Sequence, residues 1–270
     1  LGNSRIEVHS LYGPLIQQAL AAWGQRTLYL ALDSSMLWDR LCLIRISVVY
    51  RGRAVPLVWK VLQHRSSSVS YGMYQDLLFK STELLPRGCR VVFLADRGFA
   101  DIDLMTALKH LGWHYRIRIK GSFLTYRRGH HRCKAKQVPL ACGQARFWHY
   151  VTITAQHFGP VHLTLARPRG ATECWFVVSD EPTGLETFDE YGLRFDIEEN
   201  FLDDKSNGFQ LESSLLRSSD VLSRLCFVLA ITTLYLVSQG TEVVRQGRRR
   251  WGDPHWFRGS SYLKIGWEWV

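Results

Sequence analysis

Apolar positions follow two rhythms along this chain, and the switches between them mark its elements. Leu11 to Trp23 repeats at helical spacing and stops at Gly24. Thr27 to Leu32 is an apolar, β-favouring run that stops at Asp33. Leu41 to Tyr50 and Ala54 to Leu62 are two more runs rich in Val and Ile, with Arg51-Gly52-Arg53 between them as a hairpin turn. Val69 to Leu85 returns to helical spacing and ends before Pro86. Arg90 to Ala95 is a short apolar strand closed by Asp96. Asp101 to Leu111 reads as a helix with Asp101 at its cap and Gly112 behind it, and Trp113 to Ile119 alternates as a strand. Phe147 to Ala155, Val161 to Ala166 and Trp175 to Ser179 are β-like, and the chain turns helical after Pro182.

This order predicts an α/β protein with a mixed sheet and helices packed on it. The expected divisions are a helical N-terminal remnant (1–24), the first part of a core (25–119), a β-rich basic insertion (120–185), the last helices of the core (186–240) and a basic, aromatic tail (241–270). Val221 to Val237 is the most apolar stretch, but it is short for a membrane span and carries Arg224, so it is expected to be a core helix.

Composition adds a sign to this picture. Lys and Arg number 34 against 24 Asp and Glu, a formal charge of +10 that favours a polyanionic partner. The charge concentrates in RIRIKGSFLTYRRGHHRCKAK, residues 116–136, where Phe123 and Tyr126 interleave with the cations and no acid occurs. That mixture suits a surface tracking a nucleic-acid backbone, with Arg118, Lys120, Arg127 and Arg128 as candidate contacts. The six cysteines, at 42, 89, 133, 142, 174 and 226, form no C-x-x-C pair, so they are expected to be free thiols of a reduced, cytoplasmic protein. No phosphate-cradling Gly-Lys-Ser/Thr loop is present, so no nucleotide cofactor is expected. Ser34 and Ser35 lack the G-x-S-x-G context of a hydrolase nucleophile, and His255 is expected to be structural.

The carboxylates carry the chemistry. Asp33 and Asp96 each close an apolar strand, which would place both at the carboxyl rim of a sheet, where α/β proteins build their sites. Two neighbouring carboxylates repel unless a cation or a proton lies between them, and oxygen donors of this kind suit Mg²⁺. Further on, Tyr191, Arg194, Glu198 and Lys205 would lie within roughly 60° of one another on a continuous helix. Leu193, Ile197 and Phe201 form an apolar row beside them. A solvated face with an Arg194–Glu198 pair is the plain alternative.

Tyr191-x-x-Arg194-x-x-x-Glu198, followed by Lys205, resembles the YREK signature of one group of bacterial insertion-sequence transposases, DDE enzymes with an RNase H-like catalytic domain. Asp33 and the Asp96 of ADRGF match that group's two aspartates, and Glu198 its glutamate. The resemblance implies an RNase H-like mixed sheet flanked by helices, with a β-rich insertion before the last catalytic helix. It implies Asp33, Asp96 and Glu198 as catalytic metal ligands for two Mg²⁺ ions, Mn²⁺ substituting, with Asp196 and Glu199 as rival acids. Tyr191, Arg194 and Lys205 would contact DNA phosphate. Trp148 or Trp175 would stack on a flipped base if cleavage passes through a DNA hairpin. The implied partners are double-stranded transposon ends and target DNA, bound by a homodimer, with no membrane. The implied activity is cut-and-paste transposition by strand cleavage and strand transfer. A truncated or inactive relative that only binds DNA, and a metal-dependent nuclease on the same fold, are the alternatives. The family carries a DNA-binding segment before the first strand and only about 25 residues precede it here, so either the chain is a fragment or end recognition is expected to be reduced.

Overall fold

In a computed structural model, which describes residues 1–255 and 259–270, the chain runs through helix α1 (Val8–Leu20), strands β1 (Thr27–Leu37), β2 (Leu41–Tyr50) and β3 (Arg53–Gln63), helix α2 (Tyr71–Leu84), strand β4 (Arg90–Ala95), helix α3 (Ile102–His110) and strand β5 (His114–Arg118). The middle of the chain supplies β6 (Leu124–Tyr126), β7 (Cys133–Lys134), β8 (Ala145–Ile153), β9 (Phe158–Ala166) and β10 (Trp175–Ser179). Helices α4 (Glu186–Gly192), α5 (Phe195–Leu202), α6 (Ser219–Arg245), α7 (Arg249–Gly252) and α8 (Tyr262–Trp269) complete it. This is the mixed α/β class expected from the sequence. Trp256, Phe257 and Arg258 of the predicted aromatic tail lie outside the described residues.

Two compact units divide the chain: Leu1–Ser67, Tyr74–Cys89 and Phe195–Val270 form the first, Ser68–Met73 and Arg90–Arg194 the second. In the first unit β1, β2 and β3 make an antiparallel meander. Its β2–β3 hairpin turns on two residues, Arg51 at φ 50° and Gly52 at φ 86°. Such a turn matches strand twist and needs left-handed backbone at both positions, which glycine adopts without strain.

Helix α6 packs on β3, with the Trp59 indole N–H donating to the Ser223 carbonyl at 3.2 Å. Leu222, Cys226, Leu229, Ala230, Thr233, Leu236 and Val237 form its buried stripe, while Val228 and Tyr235 are exposed. The expected core helix is therefore amphipathic in use, although its length and apolarity alone would permit a membrane span. It crosses α8 at two glycines. A Cβ on Gly240 would run into the Tyr262 carbonyl, and one on Gly266 into the Leu236 carbonyl. Only bare backbones come this close.

In the second unit the strand order is β4-β5-β10-β9-β8-β6-β7. Strands β4 and β5 are parallel and the other neighbours antiparallel, so this sheet is mixed. Asp101 caps α3 by accepting from the Asp103 N–H at 2.8 Å, as its position before the apolar run predicts.

Candidate active site

Asp33 lies inside β1, not at its end. The strand continues through Leu37 because β2 runs on beside it, pairing Ser34 with Ile44 and Leu37 with Leu41. A neighbouring strand supplies the hydrogen bonds that the two serines alone would not secure. Asp33 is half-buried and its Oδ1 accepts from the Ser34 N–H at 2.8 Å. Its cross-strand partner is Arg45.

Asp96 does follow its strand directly and is half-buried. The backbone turns at once into a short 3-10 segment, Arg97–Phe99, with the Phe99 N–H donating to the Asp96 carbonyl at 2.9 Å. The Tyr191 hydroxyl lies 3.4 Å from the Asp96 Oδ1, and the Arg194 Nε–H donates to that hydroxyl oxygen at 3.2 Å. Tyr191 is fully buried and Arg194 is 3% exposed. Burial pushes the Tyr191 phenol up to about 12, Asp96 adding to the shift and Arg194 opposing it. The phenol therefore stays a donor at neutral pH. Trp175 meets the Tyr191 ring edge-on at 5.7 Å, and the Arg118 guanidinium lies 5.8 Å from the Trp175 ring. Glu173 bridges Arg97 and Arg118 at 3.0 and 2.9 Å.

The continuous helix expected over Tyr191 to Asn207 is broken. Helix α4 ends at Gly192; the Leu193 and Arg194 N–H groups then reach back only three residues, to Glu190 and Tyr191, before α5 starts at Phe195. Tyr191 and Arg194 belong to the second unit, Glu198 and Lys205 to the first. Helix α5 buries Ile197, Asn200 and Phe201 against the meander and leaves Glu198 exposed. Lys205 sits in a widened π-helical turn, Asp203–Asn207, with its Nζ 3.7 Å from Glu212. The rival acids turn toward Arg53: Glu199 lies 3.9 Å from it. Burial raises the Asp196 carboxyl, which Arg53 opposes.

In the insertion the Arg127 guanidinium lies over Trp148, 3.9 Å from the ring centre, and Trp148 is 8% exposed. Lys120 and Arg128 are exposed. The exposed aromatic of this region is Tyr150, which no sequence pattern singled out; it stands where the β8–β9 register slips, with φ 56° and 75% exposure.

A model of the transposase DDE domain family matches residues 40–235. The chain belongs to that family. The matched region of this DDE domain holds Asp96, Tyr191, Arg194, Glu198 and Lys205, and begins after Asp33. A cryo-EM structure of the piggyBac transposase synaptic complex with hairpin DNA is similar at 12% identity and a TM-score of 0.43, over 84% of this chain. The DDE domain spans 57% of that protein's length. No curated protein matches.

Transposases of this family use divalent metal, and two sets of residues in this DDE domain bear on it. Asp33, Asp96 and Glu198 offer only oxygen, are at least partly open to solvent, and so fit a hard, hydrated ion. His114, Asp180 and Glu181 bring ligand atoms within 4.8 Å of one another, the one such group among the described residues. That second cluster is already neutralised: Glu181 binds Arg90 at 2.5 Å and Arg116 at 2.9 Å, and Arg116 binds Glu190 at 2.6 Å. The two arginine contacts pull the Glu181 carboxyl below its ordinary range despite partial burial. His114 pairs with Val92 and Ala95 with Ile117, so this cluster lies at the other end of the β4–β5 ladder from Asp96. It is an ion-pair network tying β5 and β10 to α4.

Proposed function

We propose that this chain is the catalytic domain of a cut-and-paste DNA transposase from a bacterial insertion sequence, performing strand cleavage and strand transfer. The observation that carries the reading is family membership across residues 40–235, with Asp96 and Glu198 inside the match and Asp96 buttressed by buried donors. Asp33, Asp96 and Glu198 are the residues that would hold two Mg²⁺ ions. Divalent metal held by these carboxylates would supply acidification of an attacking water or 3′-hydroxyl and charge stabilisation at the leaving oxygen.

The residues around them bind and orient. Tyr191 donates toward Asp96 and Arg194 toward Tyr191, so carboxylate, phenol and guanidinium act as one chain. When the DNA backbone arrives, these donors serve a phosphate oxygen, Arg194 in the bidentate geometry that guanidinium allows and Lys205 as a point charge. Arg118, Lys120, Arg127 and Arg128 track the backbone beyond the cleavage point, and Trp148 or Trp175 supports an extruded base. The active form is a homodimer on two transposon ends and target DNA.

The test is cleavage of the element's own end sequence, taken from DNA flanking the gene, with Mg²⁺ or Mn²⁺. Wild type is run beside Glu198→Ala. Cleavage lost in the variant while DNA binding persists supports the reading. Salt-sensitive binding with no cleavage in either protein would leave a DNA-binding remnant. Cleavage without joining of a 3′-hydroxyl end would leave a nuclease.

A further inference from the structure

Arg45 interrupts the apolar strand LCLIRISVV and is 1% exposed. Cross-strand partners share a face, and Arg45 is the partner of Asp33 on one side and of Trp59 on the other. From that face its Nη2 reaches Asp204 Oδ2 at 2.6 Å, and Asp204 is itself 1% exposed. The same guanidinium lies 4.7 Å from the Phe201 ring. Phe201 is one turn after Glu198 on α5, and Asp204 is in the π turn that carries Lys205. From β3, Arg53 binds the adjacent Asp203 at 2.6 Å. Two strands thus each hold one carboxylate of the same turn.

The pair is a poor stabiliser. Arg45 Nε and Nη1, Asp204 Oδ1, Ser47 Oγ and both amide atoms of Asn200 are buried without a hydrogen-bond partner among the described residues. Each such group has left water without a compensating hydrogen bond, which opposes folding. Apolar residues of similar volume often do as well as a buried ion pair, or better. What the pair supplies and apolar packing does not is a fixed length and direction between the row of Asp33 and the helix of Glu198.

We propose that Arg45 and Asp204 form a positioning strut that sets the placement of Glu198 relative to Asp33. The inference rests on Asp33 and Glu198 being metal ligands, as proposed above. Its test is Mn²⁺ binding to the full chain, followed by electron paramagnetic resonance, for wild type, Glu198→Ala and the double variant Arg45→Met/Asp204→Leu, each with a melting curve. The double variant is chosen because a single change would strand a buried charge. It is expected to melt at or above the wild-type temperature yet bind Mn²⁺ about ten- to a hundredfold more weakly, the loss typical when groups supporting a metal ligand are removed.

A double variant that binds Mn²⁺ as wild type does, while Glu198→Ala does not, overturns the strut and leaves the metal assignment standing. Equal binding by wild type and Glu198→Ala overturns the metal assignment, and the strut with it. If the double variant melts below wild type, Arg45→Gln/Asp204→Asn replaces it under the same criterion, since both changes keep polar groups and remove the ion pair.

Discussion

Arg45 and Arg127 both lie over an aromatic ring, at 4.7 Å on Phe201 and 3.9 Å on Trp148, yet their surroundings differ in kind. Arg45 is sealed in the first unit with one carboxylate to answer its charge. Arg127 is half-exposed in the insertion, next to the exposed Arg128. The Arg45 guanidinium is held in one geometry by Asp204 and the Phe201 ring. A guanidinium resting on a ring at the surface keeps its charge available to a phosphate while its plane is already ordered. Burial thus separates Arg45, which is held inside the first unit, from Arg127, whose charge is open to solvent.

The comparison predicts its largest effect at Arg45. Arg45→Met alone leaves Asp204 charged and buried, and unfolding in denaturant is expected to show a loss of about 3–5 kcal/mol. A loss below ~1 kcal/mol would place Arg45 with the surface arginines. Tyr191→Phe should come next. It removes the hydroxyl between Asp96 and Arg194, with a stability loss of about 1 kcal/mol and a larger fall in cleavage rate than in DNA affinity. An affinity loss equal to the rate loss would make Tyr191 a plain binding residue.

Arg127→Ala and Arg128→Ala should leave unfolding unchanged and lower the salt dependence of DNA binding by about one phosphate contact each. A separate, pH-dependent effect belongs to His9. Burial, with Lys80 assisting, holds its imidazole down at about 4, and its Nε2 accepts from the Trp59 N–H at 3.3 Å. The folded value lies below the ordinary 6.5, so the neutral ring is favoured by folding. The resulting stability is complete above pH 6.5 and is lost as pH falls from there through 4. Thermal melts at pH 7 and 4.5 should therefore differ less for His9→Phe than for wild type.

Much of this was legible in the chain. Asp101 ahead of an apolar helical run read as a cap because a short carboxylate there answers an unpaired N–H, and it does. Arg51-Gly52-Arg53 read as a hairpin turn; the chain turns on Arg51 and Gly52, and Arg53 already belongs to β3. Asp96 read as a strand-end acid because an apolar strand stops at it. The same reasoning misplaced the end of β1 at Asp33, since the continuation depends on β2, a partner no local pattern reveals. The helix over 191–207 was inferred from spacing alone, and spacing carries no sign of the break at Leu193 and Arg194. Arg45 was the readable warning that was missed: a charge in a buried strand must have a partner, but only the fold could name Asp204. Arg116 in HYRIRIK carried the same warning, and its partners are Glu181 and Glu190.

The central claim is that Asp33, Asp96 and Glu198, and not the acids elsewhere in the chain, take the metal. Anomalous diffraction from crystals soaked in Mn²⁺ tests it most directly. The account predicts manganese within coordination distance of the Asp33 and Asp96 carboxylates, lost in Glu198→Ala or weakened there. Manganese at His114, Asp180 and Glu181, with none at Asp33 or Asp96, would contradict it.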